Sequence, residues 1–302
     1  MKRIVTVLSL SICLLVFVHP AKAWHDEGHV LATDAAVLSL ADELPAFFVD
    51  GLGTIRHTVI DPDAIRSRDL PELRATEGPE HYIDYEFVKD YELPTRRYDY
   101  YAMCYAHDLD PSRVGTLPYA MVEWTQRLTM AFAEYRKWPD DPVIQSKILV
   151  YAGVLAHYAG DAGQPLHTTI HFNGRVDETG KVTRKGIHER VDDLYLWVKL
   201  EVKDIADQIQ PQQYDQLMPH VMREILTSHA LVDRVYELED HFPAMDHEQK
   251  WEATAAIHEF ALDRMHHSAH IIASLFLTAW RDSQTLPLPD WLDRQNDKAP
   301  SP

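Results

Sequence analysis

Five side chains between residues 157 and 192 carry the clearest chemistry in the sequence. His157 and Asp161 are four apart, as are His188 and Asp192, and His167 stands between the two pairs. Residues at i and i+4 share one face of a helix, the spacing by which one helix offers two ligands to one metal ion. A single such pair describes a surface ion pair or a capped core histidine at least as well. Two pairs close in sequence, with a fifth donor between them, favour a metal site, and eighteen histidines in 302 residues fit that reading. Metal pairs held this way lower the pKa of a bound water and neutralise an anionic substrate.

The elements that must position these donors are helical. Apolar spacing predicts helices over Glu27–Leu40, Pro118–Lys137, Pro142–Ala159 and Gly186–Ile209. One or two more are expected within Pro211–Glu237, and one long helix over His247–Trp280. Strand-like alternation is scarce; residues 169–185 read as a short hairpin or an irregular loop. Segments 50–80 and 84–117 are rich in Asp, Pro and Arg and read as irregular. The expected fold is therefore all-α, one mostly helical domain over 24–285 with long irregular loops, followed by a Pro-rich tail over 286–302.

Composition narrows the function. The formal charge of −18 offers no bulk basic face for nucleic acid. Residues 1–23 read as a cleaved secretory signal: Lys2 and Arg3, then the apolar run Ile4–Val18, then Ala21-Lys22-Ala23. The run is short for a membrane span, which needs about 20 residues. The expected location is therefore periplasmic or extracellular. Cleavage removes three basic residues and no acidic one, taking the charge from −18 to −21, and it removes Cys13. Cys104 then stands alone, so stability must come from packing or metals. Cleavage also exposes Trp24, whose free amine and carbonyl could chelate a cation beside His29.

These motifs together resemble the S1/P1 nuclease family of the zinc-dependent phospholipase C superfamily. The resemblance spans the chain after the signal and rests on Trp24-His25-Asp26-Glu27-Gly28-His29, Asp63-Ala64-Ile65-Arg66, His81-Tyr82-Ile83-Asp84, Ala156-His157-Tyr158-Ala159-Gly160-Asp161, Gln164-Pro165-Leu166-His167 and His188-Glu189-Arg190-Val191-Asp192. It implies a buried cleft with three Zn²⁺. The first would lie on Asp63, His81, His157 and Asp161, the second on His167, His188 and Asp192. The third would lie on Trp24, His29 and Asp161, with Asp161 bridging the first and third. Asp61 competes with Asp63 for its place.

The resemblance also implies the reaction: hydrolysis of single-stranded DNA and RNA to 5′-phosphorylated nucleotides, with 3′-nucleotidase activity as an extension, by a hydroxide bridging two of the ions. Asp63, Asp161 and Arg66 would be the catalytic set. Arg66 would contact phosphate, Tyr82 would line the base pocket, and Asp84 would bond the base edge. No stable protein partner is implied. The short Trp24–His29 gap, the His167–His188 gap and Asp192 favour the nuclease branch over phospholipase C-type cleavage of lipid head groups. A zinc-binding protein without turnover is the reading from outside enzymology. His107-Asp108 and the His266, His267 and His270 group on the long C-terminal helix are set aside as surface or core residues.

Overall fold

The computed structural model describes residues 26–244 and 251–294. It is 66% helical, with two short strands, so the all-α class is observed. The signal segment and Trp24 lie outside the described residues.

Helix α1 (Asp26–Ser39) is followed by four short helices: α2 (Ala46–Asp50), α3 (Leu52–Thr58), α4 (Asp61–Ile65) and α5 (Pro71–Glu77). The segment after them holds α6 (Arg97–Ala106) and α7 (Pro111–Val114), besides 3-10 turns at Gly78–His81 and Tyr85–Phe87. The expectation of irregular chain over 50–80 and 84–117 is thus corrected. Proline at the first or second position starts α4, α5 and α7, where its missing N–H costs nothing and its fixed φ is already helical.

The long helices α8 (Leu117–Lys137) and α9 (Pro142–Gly163) pack on each other. Helix α9 begins at Asp141, whose carboxylate accepts from the Val143 and Ile144 N–H groups. It runs four residues beyond the predicted end and stops at Gln164, which is extended because Pro165 follows. From Ala152 to Gly163 every residue of α9 is buried, enclosed by α1, α3, α8 and the 28-residue α15 (Ala255–Asp282). Each fully buried Leu or Ile here, such as Ile148 and Leu155, stabilises the fold by about 1.5–3 kcal/mol. The helix carrying His157 and Asp161 is therefore the axis of the core.

Residues 169–185 form the hairpin β1 (Arg175–Val176) and β2 (Val182–Thr183), antiparallel. The single helix expected over 186–209 is three pieces: α10 (Ile187–Asp192), α11 (Leu194–Val198) and α12 (Val202–Ala206). Lys199, left-handed at φ 56°, ends α11, and a reciprocal Glu201–Asp204 capping box starts α12. Helices α13 (Leu217–His229) and α14 (Val232–Leu238) follow. Of the predicted helix over 247–280, residues 251–254 are not helical and 247–250 lie outside the described residues. The segment from 286 joins the domain at least to Arg294: Leu292 is buried, and Arg294 pairs with the buried carboxylate of Glu134.

Candidate metal centre

Eight of the nine expected ligands are described, and they converge from six elements. His29 is on α1, Asp63 on α4, His81 ends a 3-10 turn, and His157 and Asp161 are one turn apart on α9. His167 sits in the turn Pro165–Thr168, and His188 and Asp192 share α10. Three groups have donor atoms close enough for one ion each: His29, His157 and Asp161; Asp63, His81 and His157; His167, His188 and Asp192. Asp63, not Asp61, is the carboxylate in the second group.

The two oxygens of Asp161 divide between the first two groups. Oδ1 lies 3.4 Å from His29 Nε2, while Oδ2 lies 3.0 Å from His81 Nδ1 and 3.6 Å from His157 Nε2. The His29 and His157 rings stack with centroids 4.1 Å apart. Helix α9 admits His29 this closely because residue 160 is glycine: a Cβ there would meet His29 Nδ1 at 2.8 Å. Gly160→Ala is expected to push the ring aside and weaken metal binding at the His29 group by about tenfold or more, while the other two groups keep theirs. Zinc titration with a chromophoric chelator in competition reads this; unchanged affinity at all sites would show that His29 is not a ligand.

Backbone carbonyls orient the rings. His157 Nδ1 donates to Val59 O (2.7 Å), His167 Nδ1 to His81 O (2.6 Å) and His188 Nδ1 to Phe172 O (3.0 Å). A carbonyl accepts only, so each of these neutral rings carries its proton on Nδ1 and a bare lone pair on Nε2. The His167 and His188 lone pairs then face each other at 3.2 Å, a repulsive contact that a shared cation relieves. Gln164 Nε2 donates to Asp192 Oδ1 (2.8 Å), leaving Oδ2 without a partner. Both ring nitrogens of His29, His81 Nε2 and Asp161 Oδ1 are also buried without a hydrogen-bond partner. Orphaned donors of this kind are rare in folded proteins unless a ligand or ion completes them. The residues present therefore fit divalent metal ions, and imidazole with carboxylate suits zinc among others.

Titration behaviour agrees. Burial holds His29 and His81 down at about 4 and His157 and His167 well below the ordinary range, so they are neutral and ready to ligate. Burial pushes Asp161 up to about 7 and Asp192 well above its usual value. In the metal-free protein these carboxyls hold protons that a cation must displace. Metal binding at pH 6 is thus expected to release protons, Asp161 giving close to one, and that share falls as pH rises through about 7, with apparent affinity rising over the same interval. Calorimetry in buffers of different ionisation enthalpy measures the release; none at pH 6 would contradict the assignment of both aspartates as ligands.

The centre opens onto a cleft of about 1010 Å³ lined by His81, His167 and His188 and by all three expected substrate contacts, Arg66, Tyr82 and Asp84. Arg66 donates to Asp63 through a short contact and keeps its buried Nε without a partner. The Tyr82 hydroxyl donates to Ser112 O (2.9 Å). Burial, then the nearby Glu86, raises Asp84 to about 7.

Several supporting residues were not legible in advance. Gln164 lay in a quoted motif without a role, and Asn173, whose Oδ1 accepts from the Gly186 and His188 N–H groups, gave no signal. Glu86 accepts from Thr169 Oγ1 and Ile170 N, fixing the chain just after His167. His266, His267 and His270 join no metal-type group among the described residues. His267 lies beside Glu224, as a core histidine would. Compared with known proteins, the chain matches no family model and no curated protein.

Proposed function

We propose that the protein is an exported phosphodiesterase of the S1/P1 nuclease type that binds three zinc ions and cleaves single-stranded DNA and RNA to 5′-phosphorylated products. The observation that carries this reading is the convergence of three orphaned His/Asp donor groups on one cleft whose wall presents an arginine, an aromatic ring and a carboxyl group. Asp63, His81, His157 and Asp161 would hold one ion, His29 and Asp161 a second with the Trp24 terminus, and His167, His188 and Asp192 the third. Bound there, such ions supply a water of lowered pKa and offset the charge of a phosphodiester.

The chain's own residues supply position. Arg66, fixed by Asp63, directs its remaining N–H donors toward a phosphate oxygen. Its backbone is held in turn by Arg74, whose Nη1 donates to Arg66 O at 2.8 Å. Tyr82 gives an unstacked base a flat apolar face, which duplex DNA does not offer to a pocket. Asp84 sits where it donates to a base acceptor below pH 7 and accepts from a base N–H above it. No helix among the described residues is long and apolar enough to cross a membrane.

The test uses chain beginning at Trp24, supplied with zinc and incubated with single-stranded DNA, products being weighed by mass spectrometry. The expected result is 5′-phosphorylated products, abolished by chelator and restored by zinc. Protein that carries three zincs, leaves the DNA intact and hydrolyses phosphatidylcholine would move the assignment to the phospholipase branch. Zinc-loaded protein that hydrolyses neither would leave metal binding without turnover.

A further inference from the structure

The cleft contains a cation for which the proposed reaction has no use. Arg113 lines the wall and is exposed. Among the described residues no carboxylate stands within ion-pair distance of it. Asp110, the nearest acid in sequence, accepts from the Ser112 N–H (2.9 Å) and hydroxyl (2.7 Å) and is close enough to feel the Arg113 charge without pairing to it. Asp108 shares the wall and moderates the local charge without pairing to the guanidinium.

Arg113 does not ride on a free loop. Its turn, α7, is clamped to the segment that carries the base-pocket residues. Tyr82 donates its hydroxyl to Ser112 O, the Asp84 N–H donates to Val114 O at 2.7 Å, and Ile83 pairs with Gly115. Gly115 is required at that pairing: its φ is +96°, and a Cβ would meet Tyr82 O at 2.1 Å. The backbone at Arg113 is thus fixed relative to Tyr82. The cleft that Tyr82 lines therefore holds two guanidiniums, Arg66, which is paired with Asp63 of the metal centre, and Arg113, on the turn clamped to Tyr82.

A nucleotide inside a strand has a phosphate on each side of its sugar. If its base lies at Tyr82 and one phosphate lies at Arg66, the other needs a partner along the same wall. We infer that Arg113 forms a second phosphate subsite, occupied by the non-scissile phosphate flanking the nucleotide at Tyr82, so that the cleft prefers oligonucleotides over substrates with one phosphate. This rests on the nuclease reading of the same cleft. One such cation, in an otherwise acidic chain, gives preference over one added nucleotide and not over a long tract.

The experiment compares two substrates on zinc-loaded protein beginning at Trp24: a dinucleoside monophosphate, which has only the scissile phosphate, and a pentanucleotide. Arg113→Gln is expected to lower the ratio of kcat/KM for the pentanucleotide over that for the dinucleoside monophosphate about fivefold. It should also make the dependence of log(kcat/KM) on log salt shallower by about 0.7 for the pentanucleotide. Arg113→Lys, which keeps the charge, should retain the parent slope. An unchanged ratio, or a lysine variant as salt-insensitive as the glutamine one, overturns the subsite while leaving the nuclease reading in place. Parent protein that hydrolyses neither substrate overturns the nuclease reading, and the subsite with it.

Discussion

Asparagine in place of Asp161 is expected to cut hydrolysis by more than about 10³-fold, equivalent to about 4 kcal/mol of transition-state stabilisation, and to leave the protein folded. The side chain is fully buried on the axis of the core, and its two oxygens face separate donor groups, His29 on one side and His81 with His157 on the other. Asparagine keeps the shape. It removes the negative charge and turns one acceptor into a donor aimed at ring nitrogens whose lone pairs already lack partners. Two neighbouring metal ions would then lose the group that lies between them. The fold should tolerate the change because Asp161, raised to about 7, is neutral below that pH in the metal-free protein and faces neutral histidines, so no buried ion pair is broken. Zinc content by mass spectrometry under native conditions and turnover on single-stranded DNA read the two effects separately. Lost turnover with the other ions still bound distinguishes a catalytic centre from a storage site. Full turnover with full zinc content would remove Asp161 from the centre.

Two of the donor pairs were legible in the sequence because their spacing is local, whereas Asp63 and His81 came only from the resemblance. His157 and Asp161, or His188 and Asp192, are one helical turn apart, and that pairing survives even where the helix boundary is misjudged, as in the fragmentation of 186–209. The core helices were readable for the same reason: apolar residues repeat with the helical period over four or more turns. What orients the ligands was not legible, because it is contributed by backbone groups distant in sequence. The carbonyl of Val59 fixes His157, and that of His81 fixes His167; a carbonyl has no residue type to recognise. The helices α3, α4, α5 and α7 escaped notice because a helix of four to seven residues presents too few apolar positions to show a period, and the ten-residue α6 because only Tyr100 and Cys104 of it are buried. Proline sets the starts of α4, α5 and α7. The clamp of α7 on Tyr82 was hidden likewise, since Ser112 and Val114 contribute only carbonyls.

Removing the three metals is expected to lower the melting temperature by about 15–30 °C, and by more at pH 8 than at pH 6.5. Each ion present at a hundredfold its dissociation constant adds about 2.7 kcal/mol, and in a domain this large each kcal/mol moves the midpoint by about 2–4 °C. The pH dependence follows from the groups the metals leave behind. Burial raises Asp161 in the folded state from its ordinary 3.8 to about 7, so the folded metal-free protein binds more protons than the unfolded chain between those values. Its stability therefore falls as pH rises through that interval. His29 and His81, lowered from 6.5 to about 4, act oppositely: the unfolded chain binds the extra protons, and stability rises with pH between about 4 and 6.5. Above 6.5 the histidine contribution is complete and only the carboxyl effect remains, so metal-free protein continues to weaken up to about pH 7 and somewhat beyond. In the metal-bound protein the same carboxylates are ionised and ligated, and that weakening is absent. The gap between loaded and chelated melting curves should accordingly widen from pH 6.5 to pH 8 and stay constant above it. A gap that narrows over this interval would mean that the buried aspartates are ionised without metal, held by some other cation, of which Arg66 beside Asp63 is the nearest.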